Sequence, residues 1–191
     1  MAGHRAHPDG TSADDSFCPK CGAPLAHRLL KPAEPERLVC TACDFVFFLD
    51  PKVATGCIVE HEGGIVLLRR SIEPGYGKWV FPGGYVDRGE RVEDAAVRET
   101  VEEACLHVAV RSLVGVYSYP DRPIVVIVYA GVVEGGVLCA ADEALEAASF
   151  APHAIPWDDL AFSSTYDALA DYVLRVHGFQ PPAGSRRPAP F

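Results

Sequence analysis

The chain has 191 residues, of which 49% are hydrophobic and 23% charged, so it can bury one substantial core and carry a small appended module. A formal net charge of −9 argues against general electrostatic attraction to nucleic acid or anionic membranes, leaving only a local basic patch open. No run approaches the roughly 18 consecutive apolar residues of a membrane helix, and the opening MAGHRAHPDGTSADDS lacks the apolar centre of a signal peptide, so a cytoplasmic protein is expected.

Residues 1–16 are small and polar without periodicity and read as a flexible lead. Residues 17–50 hold two Cys-x-x-Cys units, Cys18/Cys21 and Cys40/Cys43, with eighteen residues between Cys21 and Cys40. Four thiolates at this spacing suit a tetrahedral, closed and therefore structural Zn²⁺, which supplies folding energy that so short a segment cannot draw from its own core. A disulfide or redox pair is the competing reading. Lys20, Arg28, Lys31 and Arg37 are interspersed with Glu34, Glu36 and Asp44, which is no basic stripe, so a scaffold role is favoured over nucleic-acid binding. The leftover Cys57, Cys105 and Cys139 sit singly in apolar contexts and are expected as reduced thiols.

From Lys52 the pattern turns to short β-runs. Val53–Glu60 and Ile65–Arg70 flank Gly63-Gly64 and read as a hairpin, followed by a loop over 71–78 and a short strand at Trp79–Phe81. Val108–Tyr117, Ile124–Val133 and Ala147–Phe150 read as further strands, the all-apolar middle one expected at the sheet centre. Ile155–Leu160 resembles a helix entry, and Ser163–His177 a helix with Ser163 or Ser164 as N-cap. The tail from 179 to 191 is expected to be mobile or loosely packed. The order implies an α+β fold with a mixed sheet covered on both sides.

Between these elements lies Gly83–Leu106. Gly83 and Gly84 follow Pro82, a pairing that stops a strand and permits positive φ or close backbone approach. The run from about Arg91 to Cys105 lacks Gly and Pro and reads as a helix. Glu99, Glu102 and Glu103 fall within an arc of about 100°, opposite Val97, Thr100, Val101 and Ala104. Like charges so placed cost roughly 0.2–0.5 kcal/mol per pair. Arg98 and Arg91 offset part of this, and a hard divalent cation such as Mg²⁺ or Mn²⁺ answers it better.

The spacing of Gly84, Glu90, Arg98-Glu99 and Glu102-Glu103 resembles the Nudix box of the Nudix hydrolase superfamily. It departs at Thr100, where an aliphatic residue is usual, and at Cys105, where Gly is usual; a different C-terminal helix turn is expected, because a side chain disfavours left-handed geometry. The resemblance implies an α/β/α sandwich over 52–178. It implies that Glu99, Glu102, Glu103 and the Gly83 carbonyl hold Mg²⁺ or Mn²⁺, that Glu90 and Arg98 support them, and that a homodimer is a common assembly. The general base stays open between a glutamate on the box helix and a residue outside the box, with Asp142, Glu143 and Glu146 as the outside candidates.

The ribbon-plus-Nudix arrangement is similar to NADH pyrophosphatases and to FAD/ADP-ribose pyrophosphatases of the plant type. The SQPWPFP-like array of the first group is not found after Leu106, whereas Pro120, the lead-in RRSIEPGYGKWVFPGGY and LAFSSTY resemble the second. The expected substrate is thus a nucleoside diphosphate-X compound, FAD or ADP-ribose, with NADH and dinucleoside polyphosphates as alternatives and a non-catalytic nucleotide- or nucleic-acid-binding regulator as the rival class. Tyr117 and Tyr119 are candidate stacking platforms, and Arg69, or its neighbour Arg70, a candidate phosphate contact. Trp79 is expected in the core, and His27, His61, His107, His153 and His177 show no ligand spacing.

Overall fold

A computed structural model describes residues 17–120 and 122–189; the lead over 1–16 lies outside the described residues. The chain divides into two compact units at Asp50/Pro51.

The first unit is a three-stranded antiparallel sheet, β1 (Leu25–Arg28), β2 (Arg37–Cys40) and β3 (Val46–Phe47), in the order β1-β2-β3. Its buried apolar content is little more than Leu38 and Val39 beside the buried thiols of Cys18 and Cys40. A core of that size cannot offset the backbone entropy of some thirty ordered residues, at about 1–2 kcal/mol each.

The second unit is built on a seven-stranded mixed sheet. Its strands are β4 (Lys52–His61), β5 (Gly64–Arg70), β6 (Trp79–Val80), β7 (Gly83–Tyr85), β8 (Leu106–Ser118), β9 (Ile124–Gly136) and β10 (Ala144–Phe150). The path runs β10-β5-β4-β9-β8, with β6 on β5 and β7 on β4; β4 and β9 pair in parallel and the other pairs are antiparallel. The hairpin closes with Glu60 opposite Ile65 and His61 opposite Gly64, around the tight Glu62-Gly63 turn where both residues have positive φ.

Side-chain alternation along β4 sorts the core into two layers. Cys57 and Val59 pack with Val66, Leu68, Ala96, Ala104 and Leu106 beneath α1 (Val92–Ala104). Ile58 packs with Ile65, Leu67, Val128, Leu169 and Val173 beneath α2 (Ser163–His177). The sheet is therefore covered on both faces. The apolar run of β9 is not central: it lies second from the edge, between β4 and β8. Its two faces meet both layers, Val126 and Ala130 on one and Tyr129 and Val133 on the other, so it is apolar without being the middle strand.

Three local readings differ from expectation. Cys105 does take the left-handed conformation, φ 60°, and its N–H donates to Val101 O at 3.0 Å, so the helix ends as it would with glycine. Two things hold the turn: a disulfide from Cys105 to Cys139, and the N–H groups of Cys139 and Ala141, which donate to the Ala104 and Glu103 carbonyls at 3.1 Å each. Cys105 and Cys139 are thus not single thiols; the β8–β9 hairpin, which sets Leu106 opposite Gly136, returns the chain to the end of α1. Neither Ser163 nor Ser164 is the N-cap of α2. Phe162 occupies that position and offers no side-chain cap, and both serines are buried in the first turn.

The tail beyond His177 carries specific contacts. Gly178 ends α2 with φ 66°, Ser163 Oγ donates to Pro188 O (2.7 Å), Tyr166 and Ser185 hydroxyls meet at 2.6 Å, and Arg187 pairs with Asp167. Among the described residues no helix is long and apolar enough to cross a membrane.

Candidate functional site

In the first unit the Sγ atoms of Cys18, Cys21, Cys40 and Cys43 lie within 4.8 Å of one another. The two turns aim N–H groups at the sulfurs: Lys20 N–H at Cys18, and Ala42 and Cys43 N–H at Cys40, each at 3.4 Å. The Ala42 hydrogen bond leads in bringing the Cys40 thiol down to about 6, whereas the Cys21 and Cys43 thiols, crowded by the other sulfurs, stand raised. Four convergent thiols with no fifth group fit a closed tetrahedral zinc site.

In the second unit, β7 brings the glycine turn to the start of the acidic helix face. Neither Gly83 nor Gly84 has positive φ; Gly83 is needed because backbone approaches it closely, and Gly84 lets a side chain do so. A Cβ on Gly83 would run into Thr55 O on β4, and one on Gly84 would lie 2.6 Å from the Glu99 carboxylate, which therefore rests directly on the backbone. Glu103 Oε2 accepts the Gly83 N–H at 2.9 Å. Burial pushes the Glu103 carboxyl up to about 7 against that hydrogen bond, with the Glu99 charge adding to the rise. Burial also raises Glu99, although Arg98 opposes it.

Arg98 is the hub of the face. Its Nε and Nη2 fork onto both oxygens of Glu90 at 2.9 and 3.0 Å, and its Nη1 reaches Glu99 at 2.8 Å and Glu102 at 3.0 Å. Nη2 also donates to Tyr85 O at 3.1 Å. The fork holds Glu90 below the usual carboxylate range. The four cysteines are the only group of three or more Cys, His, Asp or Glu ligand atoms so gathered among the described residues. The glutamates are spread instead between the guanidinium and the Gly83 amide. They remain hard oxygen donors on one wall, a set that suits Mg²⁺ or Mn²⁺.

That wall belongs to a cavity of about 860 Å³. Gly83, Arg98, Glu99, Glu102 and Glu103 line it on one side; Tyr119, Ile124 and Val126 give it an apolar wall; Arg70, Asp142, Glu143 and residues 162–165 complete it. Glu90 stands behind Arg98, outside the lining. Arg69 is also outside: its Nε donates to Gly77 O at 2.9 Å and its guanidinium pairs with Glu146 at 3.7 Å. Adjacent strand residues point to opposite faces, so it is Arg70 that looks into the cavity. Tyr117 is not a lining residue either; its hydroxyl donates to Asp171 at 2.9 Å and its ring packs on the α2 layer. Tyr119 lines the cavity, with its hydroxyl on Asp167 (2.7 Å) and the Arg187 guanidinium 5.3 Å from its ring centre. Trp79 is buried against Phe150. Of the histidines, His177 Nε2 lies 2.7 Å from Glu60, remote from the glutamate wall. Sequence reasoning missed the cavity face of residues 163–165, although LAFSSTY had drawn notice as a motif.

The NUDIX domain family matches residues 50–172 and the Nudix N-terminal zinc ribbon family matches 16–48. The chain belongs to the Nudix family and is a Nudix pyrophosphohydrolase. It is 43% identical over 135 residues to an ADP-ribose pyrophosphatase of Methanocaldococcus jannaschii, covering 69% of this chain and 78% of that protein. It is 27% identical over 184 residues to the NAD-capped RNA hydrolase NudC of Pseudomonas fluorescens, covering 95% of this chain but 64% of that protein's length. A crystal structure of a NUDIX hydrolase from Nitrosomonas europaea superposes with a TM-score of 0.80 at 34% identity, covering 87% of this chain and 94% of that one.

Proposed function

We propose that the protein is a divalent-cation-dependent hydrolase of a nucleoside diphosphate-X compound, with ADP-ribose first and FAD second, releasing AMP. The observation that carries this reading is the single cavity in which the acidic face of α1 and an apolar wall at Tyr119, Ile124 and Val126 meet. Its volume suits a nucleotide, and sites of this kind pair apolar lining with a few convergent polar groups. The similarity to the Methanocaldococcus ADP-ribose pyrophosphatase supports the choice of substrate.

In this reading Glu99, Glu102, Glu103 and the Gly83 carbonyl hold Mg²⁺ or Mn²⁺. The cation, when bound, neutralises diphosphate charge and lowers the pKa of a bound water. The chain's own groups do the rest. Glu90 locks the Arg98 fork, and Arg98 orients Glu99 and Glu102, a positioning role. The apolar wall seats the nucleoside and excludes water from the base, with Tyr119 as the stacking surface. Water attacks a phosphorus, the P–O bond to the other phosphoryl group breaks, and Asp142 or Glu143, both lining the cavity, takes the water proton.

A second substrate reading, NADH or an NAD-capped end, is favoured by the NudC match, which runs across both units. Product analysis separates them: purified protein with Mg²⁺ or Mn²⁺ is given ADP-ribose, FAD, NADH and a diadenosine polyphosphate. AMP from ADP-ribose or FAD, abolished in Glu103→Gln, is the expected result. Turnover of NADH alone would overturn the substrate choice, and nucleotide bound without turnover of any compound would overturn hydrolysis itself.

A further inference from the structure

The amino end of α2 opens into the same cavity, and no side chain among the described residues caps it. Phe162 contributes no side-chain cap, and no acceptor among the described residues serves the N–H groups of Ser163, Ser164 and Thr165. First-turn N–H groups have no intrahelical partner. All three residues line the cavity and are buried, at 0%, 8% and 1% exposure. Ser163 spends its hydroxyl on Pro188 O. The hydroxyls of Ser164 and Thr165 have no hydrogen-bond partner among the described residues and belong to side chains that line the cavity.

A cation stands at the same place. The Arg70 guanidinium carbon lies 5.1 Å from the centre of the Phe162 ring, and Arg70 also lines the cavity. Its Nε donates to Pro74 O at 2.8 Å; its charge reaches Glu103, but among the described residues no carboxylate forms an ion pair with it. Arg98, the other arginine of the lining, is already engaged by three carboxylates. A glutamate wall repels an anion, so the end of the cavity that attracts one is where Arg70 and the helix terminus coincide.

We propose that the first turn of α2, through the N–H groups of residues 163–165 and the hydroxyls of Ser164 and Thr165, forms with Arg70 an anion subsite for the substrate phosphoryl group not carried by the glutamate wall. The assignment of the anion to a nucleotide substrate rests on the function proposed above. Held at both ends, the diphosphate presents one defined P–O bond to water, and the forked guanidinium and the helix dipole act on the same oxygens.

The test uses the whole protein without metal. ADP and adenosine are titrated separately, with EDTA present at low salt, into wild type, Ser164→Ala and Arg70→Gln. Wild type is expected to bind ADP more tightly than adenosine. Each substitution removes a hydrogen bond to a charged group and is expected to weaken ADP binding about tenfold, leaving adenosine unchanged. Equal binding of ADP and adenosine by wild type overturns the subsite, as does wild-type ADP affinity in folded Ser164→Ala. If Arg70→Gln does not fold, Ser164→Ala decides. Because no turnover is read, failure of the hydrolysis assay leaves this result standing, and turnover alongside an unaffected Ser164→Ala removes the subsite alone.

Discussion

Arg98→Met keeps an unbranched apolar stem and removes the guanidinium and its charge, and the cost can be worked from the contacts. The guanidinium makes five hydrogen bonds, four of them to the carboxylates of Glu90, Glu99 and Glu102. Summing them at about 1.5–3 kcal/mol each would overshoot, because water and the unfolded chain supply substitutes. The better measure is the charge left behind. The Glu99 side chain is 14% exposed and would lose its cation, and stranding a buried charge costs about 3–5 kcal/mol. Arg98 is itself 31% exposed, so solvent screening reduces this to about 2–3 kcal/mol. With a urea slope of about 2 kcal/mol/M, the unfolding midpoint of metal-free protein should fall by about 1–1.5 M. Trp79 and Trp157, the chain's two tryptophans, are both buried in the second unit, so fluorescence reports that unit alone. Excess Mg²⁺ should narrow the deficit by supplying the missing positive charge. A metal-free midpoint unchanged within about 0.3 M would refute the account of Arg98 as the hub, since at that slope it leaves less than about 1 kcal/mol.

Two further outcomes are expected. Glu103→Gln should stabilise metal-free protein at pH 8 and make little difference near pH 4. An acid whose folded pKa is raised, here to about 7, binds more protons folded than unfolded between its ordinary value and 7, so wild-type stability falls as pH rises through that window. Urea midpoints of the two proteins across that range check the sign, and parallel curves would refute it. Cys40→Ser should lower the yield of folded, zinc-containing protein more than it lowers activity per folded molecule, because the first unit has little apolar core. Zinc content, yield and specific activity measured on one preparation decide; a folded, zinc-free and inactive variant would point to a catalytic ribbon.

What was legible in the sequence is what repeats with a fixed period or spacing. Two Cys-x-x-Cys units announced their cluster, and the 3.6-residue period put Glu99, Glu102 and Glu103 on one wall. What was not legible depended on register. Arg69 and Arg70 end a strand whose two faces are both covered, so alternation says that they diverge without saying which enters the cavity. Tyr117 and Tyr119 are two apart, yet β8 ends at Ser118; the strand holds Tyr117 against α2 while the following turn releases Tyr119 to the cavity. Cys105 and Cys139 lie 34 positions apart and meet because the intervening strands fold back on each other. The serines of α2 carried the pattern of a cap and are buried first-turn residues instead; the hydrophobic Phe162 took the capping position.

The parallel pairing of β4 with β9 has a consequence for the order in which the molecule assembles. Lys52 meets Ile124 across that pair, and the glycine turn, α1 and β8 all lie in the intervening loop. Closing it is a non-local event of the kind that slows folding. The Gly83–Glu103 contact draws on a nearer pairing, that of β7 with β4, which sets Gly83 opposite Gly56. The glutamate wall thus depends on partners that lie far apart in the sequence. The four thiols, drawn from 26 consecutive residues, are the opposite case: there the ion can gather the ligands first and the strands can follow.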